Sequence, residues 1–219
     1  MPHNLISRPR KETLALTVLD SGRVHAWRKG LTGPQRAWLE QTGFSGRPGS
    51  WAMLPNQKGG MKGAVFATGE DTDMWAWSTL AARLPNGSYK VAGRLSRAMA
   101  NDAALGWGLA SYEFTRYRTA RVTRPDLVWP AAAEDRAAVR QMLDATTLLR
   151  DLINTPAEDL GPSELTGEAR KVARNYKARV RVIAGDALLK ANYPMIHTVG
   201  RASDDAPRLI DMRWGTRGP

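Results

Sequence analysis

The chain contains no cysteine, only three histidines and no long apolar run. The first absence excludes disulfides, thiolate metal sites and a cysteine nucleophile. His3, His25 and His197 lie more than five residues apart, which excludes an HExxH-type zinc site. No stretch approaches the roughly 20 apolar residues of a membrane span, and the polar residues 1–10 offer no signal-peptide core. We therefore expect a cytoplasmic protein without a membrane partner.

Charge is unevenly distributed along the 219 residues, which carry a net charge of +11. Residues 1–125 hold 18 basic and 8 acidic residues, whereas residues 126–219 hold 14 and 13. Within the basic half we single out the run Arg116, Arg118, Arg121 and Arg124 as a candidate phosphate contact. Nucleic acid is the most plausible anionic partner for such a surface, but no nucleic-acid motif accompanies the charge, so we favour a solvated arginine-rich surface and linker.

Hydrophobic periodicity predicts an α/β fold with alternating strands and helices. Three parts are expected: a small N-terminal α/β domain at 1–125, a linker and long helix at 126–153, and a third part at 154–219. Residues 1–125 should fold alone, whereas 154–219 are too short to do so. The predicted strands cover residues 12–19, 50–54, 63–67, 89–92, 179–184 and 208–213. The predicted helices cover residues 34–42, 73–84, 98–114, 131–153 and 186–191, and a further helix starts at Pro162.

No recognisable active site emerges from these patterns. Gly106-Trp107-Gly108 begins a dinucleotide-binding pattern, but Ser111 replaces its last glycine and the segment is helical, so we reject it. The pair Asp204-Asp205 can bind a cation, although a helix start or turn is the commoner role. For His197 we favour a packed, hydrogen-bonded histidine over a metal ligand. The helical tryptophans are predicted to be core residues, namely Trp38, Trp75, Trp77 and Trp107.

Four segments nevertheless resemble the leucyl aminopeptidase family, also called cytosol aminopeptidases. They read AALGWGLASYEFTRYR at 103–118, LRDLINTPAEDLGPSEL at 149–165, YPMIHTVGRAS at 193–203 and APRLIDMRWG at 206–215. The second is the most specific. The resemblance covers residues 73–215 well and the first seventy residues loosely.

This resemblance implies a small N-terminal α/β domain, a linking helix and an α/β metallo-aminopeptidase catalytic domain. It also implies removal of N-terminal residues from peptides by water activated on two divalent metals, which are zinc, manganese or magnesium in the family. Family members are typically cytoplasmic hexamers, and some bacterial members bind DNA.

The family's metal ligands and catalytic residues lie in motifs such as K-G-x-x-F-D-[ST]-G-G, which this sequence does not contain. We therefore assign no catalytic, metal-binding or cofactor-binding residue. Residues 154–219 are expected to be the truncated start of a catalytic domain, and the chain is expected to bind no metal and to be inactive alone. A non-catalytic remnant and a basic nucleic-acid-binding or assembly module are the alternative functions.

Overall fold

Residues 1–150 and 151–219 form two structural units, here called unit 1 and unit 2. The structure, a computed structural model, describes residues 3–56, 59–119 and 123–215. Within these ranges, none of the helices is both long and apolar enough to cross a bilayer. In chain order, unit 1 contains β1 (Leu5–Ile6), β2 (Leu14–Asp20), a 3-10 turn (Ser21–Arg23), α1 (Val24–Lys29), α2 (Gly33–Gln41), β3 (Trp51–Pro55), β4 (Met61–Thr68), α3 (Met74–Arg83), β5 (Ser88–Ala92), α4 (Arg97–Ala110), β6 (Asp126–Val128) and α5 (Ala133–Asn154), which ends beyond residue 150.

Unit 1 is built on a six-stranded sheet with the order β1-β6-β5-β2-β4-β3. All neighbouring pairs are parallel except β3 and β4, which form an antiparallel pair. Strand β4 is buried from Gly63 to Thr68, as expected for a continuous apolar run inside a sheet covered on both faces. The expected α/β class with a largely parallel sheet is therefore confirmed.

Helix α4 packs closely because two of its positions carry no side chain. A Cβ atom on Gly106 would lie 2.0 Å from the Met74 carbonyl oxygen at the start of α3. A Cβ atom on Gly108 would lie 2.4 Å from Leu143 Cδ1 of α5. These glycines therefore serve helix packing, and their position inside α4 agrees with the rejection of a dinucleotide site.

The helical tryptophans differ in their surroundings. Trp77 and Trp107 are fully buried, as predicted. Trp38 is partly buried and donates a hydrogen bond from Nε1 to the Met53 carbonyl oxygen at 2.9 Å. Trp75 is 55% exposed, so its assignment to the core was wrong. Trp75 occupies the first turn of α3, off the face that carries Trp77 and Leu80, so a helical position alone did not place this tryptophan in the core.

The stretch between α4 and α5 contributes a strand to the sheet of unit 1. Strand β6 pairs with β5 through Leu127 and Tyr89, and with β1 through Leu127 and Leu5. Structural unit 1 thus continues past residue 125 and takes in most of α5. The three-part division stays a prediction about which segments fold alone.

Unit 2 combines helices with a small antiparallel sheet. Val182 of one strand lies opposite Ile210 of the other, and the two predicted strands at 179–184 and 208–213 have the observed bounds. The helix α8 (Pro194–Gly200) was not predicted, although Pro194 at its first position is a typical helix start. In chain order, the elements of unit 2 are α6 (Pro162–Tyr176), β7 (Arg179–Ala184), α7 (Ala187–Lys190), α8 (Pro194–Gly200) and β8 (Arg208–Arg213).

Candidate functional site

Unit 2 contains an open cavity of about 630 Å³. Its wall is mainly apolar and includes Leu165 of α6, Val199 of α8 and Ile210 of β8. Asp205 and Arg208 supply polar groups to the same wall. An apolar cavity with a few polar groups is the usual form of a ligand site, so the polar groups decide what this one can do.

The Asp205 carboxylate caps the start of α6. Its Oδ2 accepts hydrogen bonds from the Ser163 backbone N–H at 2.7 Å and from Ser163 Oγ at 2.8 Å, while Oδ1 accepts from Arg208 at 3.1 Å. Gly161 at the N-cap has no side chain to do this. The Ser163 bonds, reinforced by Arg208, hold the pKa of Asp205 below its ordinary value of 3.8. The helix-start role expected for the Asp204-Asp205 pair is therefore observed at Asp205.

We expect Asp205→Asn to lower the melting temperature of unit 2 near neutral pH and to remove a pH dependence. A carboxylate whose folded pKa is depressed stabilises the fold above pH 3.8, and this stabilisation is lost as the pH falls towards the folded pKa. The melting temperatures of wild type and variant, followed by circular dichroism, should thus converge between about pH 5 and pH 2. Asp204→Asn is the matched control, since Asp204 is exposed, and a similar loss in that variant would contradict the capping role.

The described residues do not fit a metal centre. Nowhere in 3–56, 59–119 and 123–215 do three or more His, Asp or Glu residues converge. Two of the histidines each face one carboxylate, with His197 Nε2 at 3.2 Å from Asp186 Oδ1 and His3 Nε2 at 2.7 Å from Asp144 Oδ1. His197 is thus a packed, hydrogen-bonded residue, as expected. No step of a metal-dependent reaction can be assigned to these side chains.

The arginine run of the basic half is partly engaged within unit 1. Arg124 donates from Nη1 to the Ala82 carbonyl oxygen at 3.2 Å, and the Arg116 guanidinium lies 5.6 Å from the centroid of the Tyr117 ring. Arg118 is exposed, and Arg121 lies outside the described residues. A phosphate-binding role for this run stays a prediction.

Sequence reasoning missed a cationic cleft on unit 2. Arg170, Arg174 and Lys177 line this cleft, which has a volume of about 310 Å³. The signal was present, because residues 170–181 contain six basic residues and no acidic one. It was overlooked because the whole second half is nearly neutral.

Sequence profiles connect both units to one family. The profile for the M17 aminopeptidase N-terminal domain matches residues 14–130, and that for the catalytic domain of the cytosol aminopeptidase family matches residues 147–219. A Streptomyces avermitilis protein named "Probable cytosol aminopeptidase" is 32% identical over a matched segment that covers 85% of this chain and 42% of that protein.

Solved structures also resemble this chain in fold. The cytosol aminopeptidase from Coxiella burnetii superposes with a TM-score of 0.84 at 29% identity, covering 97% of this chain and 46% of that one. The bottromycin maturation enzyme BotP in complex with Mn shares the fold, with a TM-score of 0.65 at 23% identity over 90% of this chain and 44% of that one.

The chain spans less than half the length of these proteins. The matched segments nevertheless include most of both units, and they follow one another in the same order as in the family. The resemblance noted in the sequence is thus confirmed, and the chain belongs to the M17 aminopeptidase family.

Proposed function

We propose that this chain forms the N-terminal region of an aminopeptidase that removes N-terminal residues from peptides, and that the 219 residues alone do not hydrolyse them. The match of both units to M17 profiles is the observation that supports the first part. The second part is supported by the lack of a metal-binding cluster among the described residues. A non-catalytic remnant is the alternative that fits the same two observations.

The surface of unit 2 supports a need for further polypeptide. Met195 and Val199 are 74% and 84% exposed on α8, and both line the apolar cavity. The sheet of this unit has two strands within the described residues. Exposed apolar side chains and unpaired strand edges favour association, because association buries the apolar area and pairs the free N–H and C=O groups of the strand edges.

The finer properties of the proposed enzyme follow from the family resemblance. We propose two divalent metals, with manganese supported by the Mn complex of BotP, and zinc or magnesium as the other candidates. These metals would be held by residues other than those described here. Assembly into a hexamer and a cytoplasmic location complete the proposal, the latter supported by relatives named cytosol aminopeptidases.

The purified chain should not hydrolyse leucine amide or leucine p-nitroanilide with manganese, zinc or magnesium added. Without a cluster of ligands, no described group can activate water on a metal. The Coxiella burnetii cytosol aminopeptidase, assayed alongside, is the positive control. Metal-dependent turnover that follows this chain through successive purification steps would contradict the prediction.

A chimera tests the aminopeptidase half of the proposal. Residues 1–215 would be joined to the part of the Streptomyces avermitilis relative that lies beyond its matched segment. We expect the chimera to hydrolyse leucine p-nitroanilide when a divalent metal is added. A chimera that folds but stays inactive, beside an active Streptomyces protein, would favour the non-catalytic remnant.

A further inference from the structure

The turn between α3 and β5 contains an Asn-Gly pair. Of the seven asparagines in the sequence, only Asn86 is followed by a glycine. Both residues of this pair are exposed. Asn-Gly is typical of tight turns with positive φ, and Gly87 has a φ of 145°. The pair thus lies in an accessible turn that leads directly into β5, an inner strand of the sheet of unit 1.

The two groups of this pair that can react with each other are not engaged elsewhere. Within residues 3–56, 59–119 and 123–215, no hydrogen-bond partner exists for the Asn86 side chain or for the Gly87 N–H group. Beyond its chain neighbours, a Cβ atom built on Gly87 would approach nothing closer than Tyr89 Cε2, at 4.0 Å. The Gly87 nitrogen therefore lies open beside an unbound amide, and asparagine is among the least heat-stable residues chemically.

Carbonyl groups hold the turn on both sides of Asn86. The hydroxyl of Tyr89, a fully buried residue, donates a hydrogen bond to the Pro85 carbonyl oxygen at 2.9 Å. The Asp126 N–H group of β6 donates to the Gly87 carbonyl oxygen at 2.8 Å. These two bonds leave the Asn86 amide and the Gly87 nitrogen free, but they fix the length of main chain between the two carbonyl groups.

From this geometry we propose that Asn86 is a site of spontaneous modification, where the side-chain amide is lost and an isoaspartyl residue forms. The Gly87 nitrogen gives its proton to solvent base and attacks Cγ of Asn86. The N–Cγ bond forms, the Cγ–Nδ2 bond breaks, and Nδ2 takes a proton from water and leaves as ammonia. The product is a cyclic imide, and nothing is oxidised or reduced.

Water then opens the imide ring in one of two ways. Addition at Cγ breaks the new N–Cγ bond and gives an aspartate with an ordinary main chain. Addition at the backbone carbonyl carbon of residue 86 breaks its bond to the Gly87 nitrogen, so the main chain then runs through Cβ and Cγ. This second product is isoaspartate. Overall, each modified chain consumes one water molecule and releases one ammonia molecule.

The two products differ in their effect on unit 1. Both place a carboxylate two residues beyond Leu84, the C-cap of α3, where the helix dipole disfavours negative charge. Isoaspartate also adds a methylene group to the main chain between the Pro85 and Gly87 carbonyl groups. The added length should break the hydrogen bond from Tyr89 or the one from Asp126, and thereby weaken the pairing of β5 with β6.

The test incubates the full purified chain in heavy-oxygen water at physiological pH and temperature, followed by peptide mapping with mass spectrometry. We expect Asn86 to lose its amide progressively, to take up one solvent oxygen and to yield isoaspartate as the main product. A synthetic peptide of residues 82–91 is the reference, because the pair is unrestrained in it. The rate in the folded chain should lie within one order of magnitude of the peptide rate, since neither reacting group is engaged in the fold.

Asn192 is an internal control in the same sample. It is also exposed, but the N–H group of the bulky Tyr193 that follows it donates to the Leu188 carbonyl oxygen at 2.8 Å. Asn192 should therefore keep its amide. The variant Asn86→Gln should keep its amide as well, because its longer side chain would have to close a larger ring.

The variant Asn86→Asp separates the effect of charge from that of the altered main chain. The aged chain, in which isoaspartate predominates, should melt at a lower temperature than Asn86→Asp, which should melt at or slightly below the wild-type temperature. The proposal is overturned if Asn86 keeps its amide in the folded chain while the peptide loses it, or if Asn192 reacts as fast as Asn86. Equal melting temperatures for the aged chain and Asn86→Asp would overturn the expected weakening of β5.

Discussion

Gly106→Ala will destabilise unit 1 by about 3 kcal/mol or more, although alanine is intrinsically the better helix former. The added Cβ would lie 2.0 Å from the Met74 carbonyl oxygen and 2.9 Å from Trp77 Cβ. Contact with a backbone oxygen cannot be relieved by rotating a side chain, so α3 and α4 must move apart. Trp77 and Trp107, both fully buried, would then lose part of their packing.

Urea unfolding followed by tryptophan fluorescence measures this effect, because all of the eight tryptophans except Trp214 belong to unit 1. Gly33→Ala is the control in the same unit, as a Cβ there has no neighbour within 4 Å. It should change the free energy of unfolding by no more than about 1 kcal/mol. A Gly106→Ala variant as stable as wild type would show that α3 and α4 are not in the described contact.

Unit 1 extends to residue 150, so in place of the expectation from sequence that residues 1–125 fold alone, we expect a fragment of residues 1–150 to fold and a fragment of residues 1–125 not to fold. The shorter fragment loses β6, which lies between β1 and β5, and the helix that covers Gly108. It also loses five large buried side chains that are each worth about 1.5–3 kcal/mol. Their combined contribution is comparable to the whole stability of a typical domain, about 5–15 kcal/mol. These side chains are Leu127, Val128, Trp129, Val139 and Leu143.

Circular dichroism melting of the two fragments distinguishes the outcomes. We expect a cooperative transition for 1–150 and none for 1–125. A cooperative transition in both fragments would favour the boundary at residue 125 that the basic stretch suggested. Failure of both would mean that unit 1 requires residues beyond 150.

The sequence was informative where an element has a strong periodic pattern of its own. Strands β7 and β8 have the predicted bounds, and α3 and α6 begin at the expected Asp73 and Pro162 signals. Strands β1 and β6 were not predicted, because two or three residues carry no periodicity. Their extended conformation depends on pairing between Leu5 and Leu127, a contact that no local pattern encodes.

The same distinction applies to the candidate site. A helix-capping role for Asp205 could be expected, because acidic residues commonly cap helices. The helix that it caps could not be, since its partner Ser163 is 42 residues away in the sequence. The cleft of Arg170, Arg174 and Lys177 was visible as helical spacing of cations and was hidden by averaging charge over half the chain. Net charge describes long-range attraction, whereas a binding surface depends on where charges are concentrated.

The position of β1 has a consequence for synthesis on the ribosome. Its partner β6 begins at Asp126, so residues 5 and 6 cannot pair until more than 120 further residues have been translated. At about 5–20 residues per second, this delay is roughly 6–24 s. Once β5 has been made, its outer edge also stays open for the 34 residues from Ala92 to Asp126, or roughly 2–7 s at the same rate, because β6 occupies that edge in the finished sheet. The nascent chain therefore exposes a strand edge for seconds, which makes chaperone binding at this stage more important than for a protein with local strand pairs.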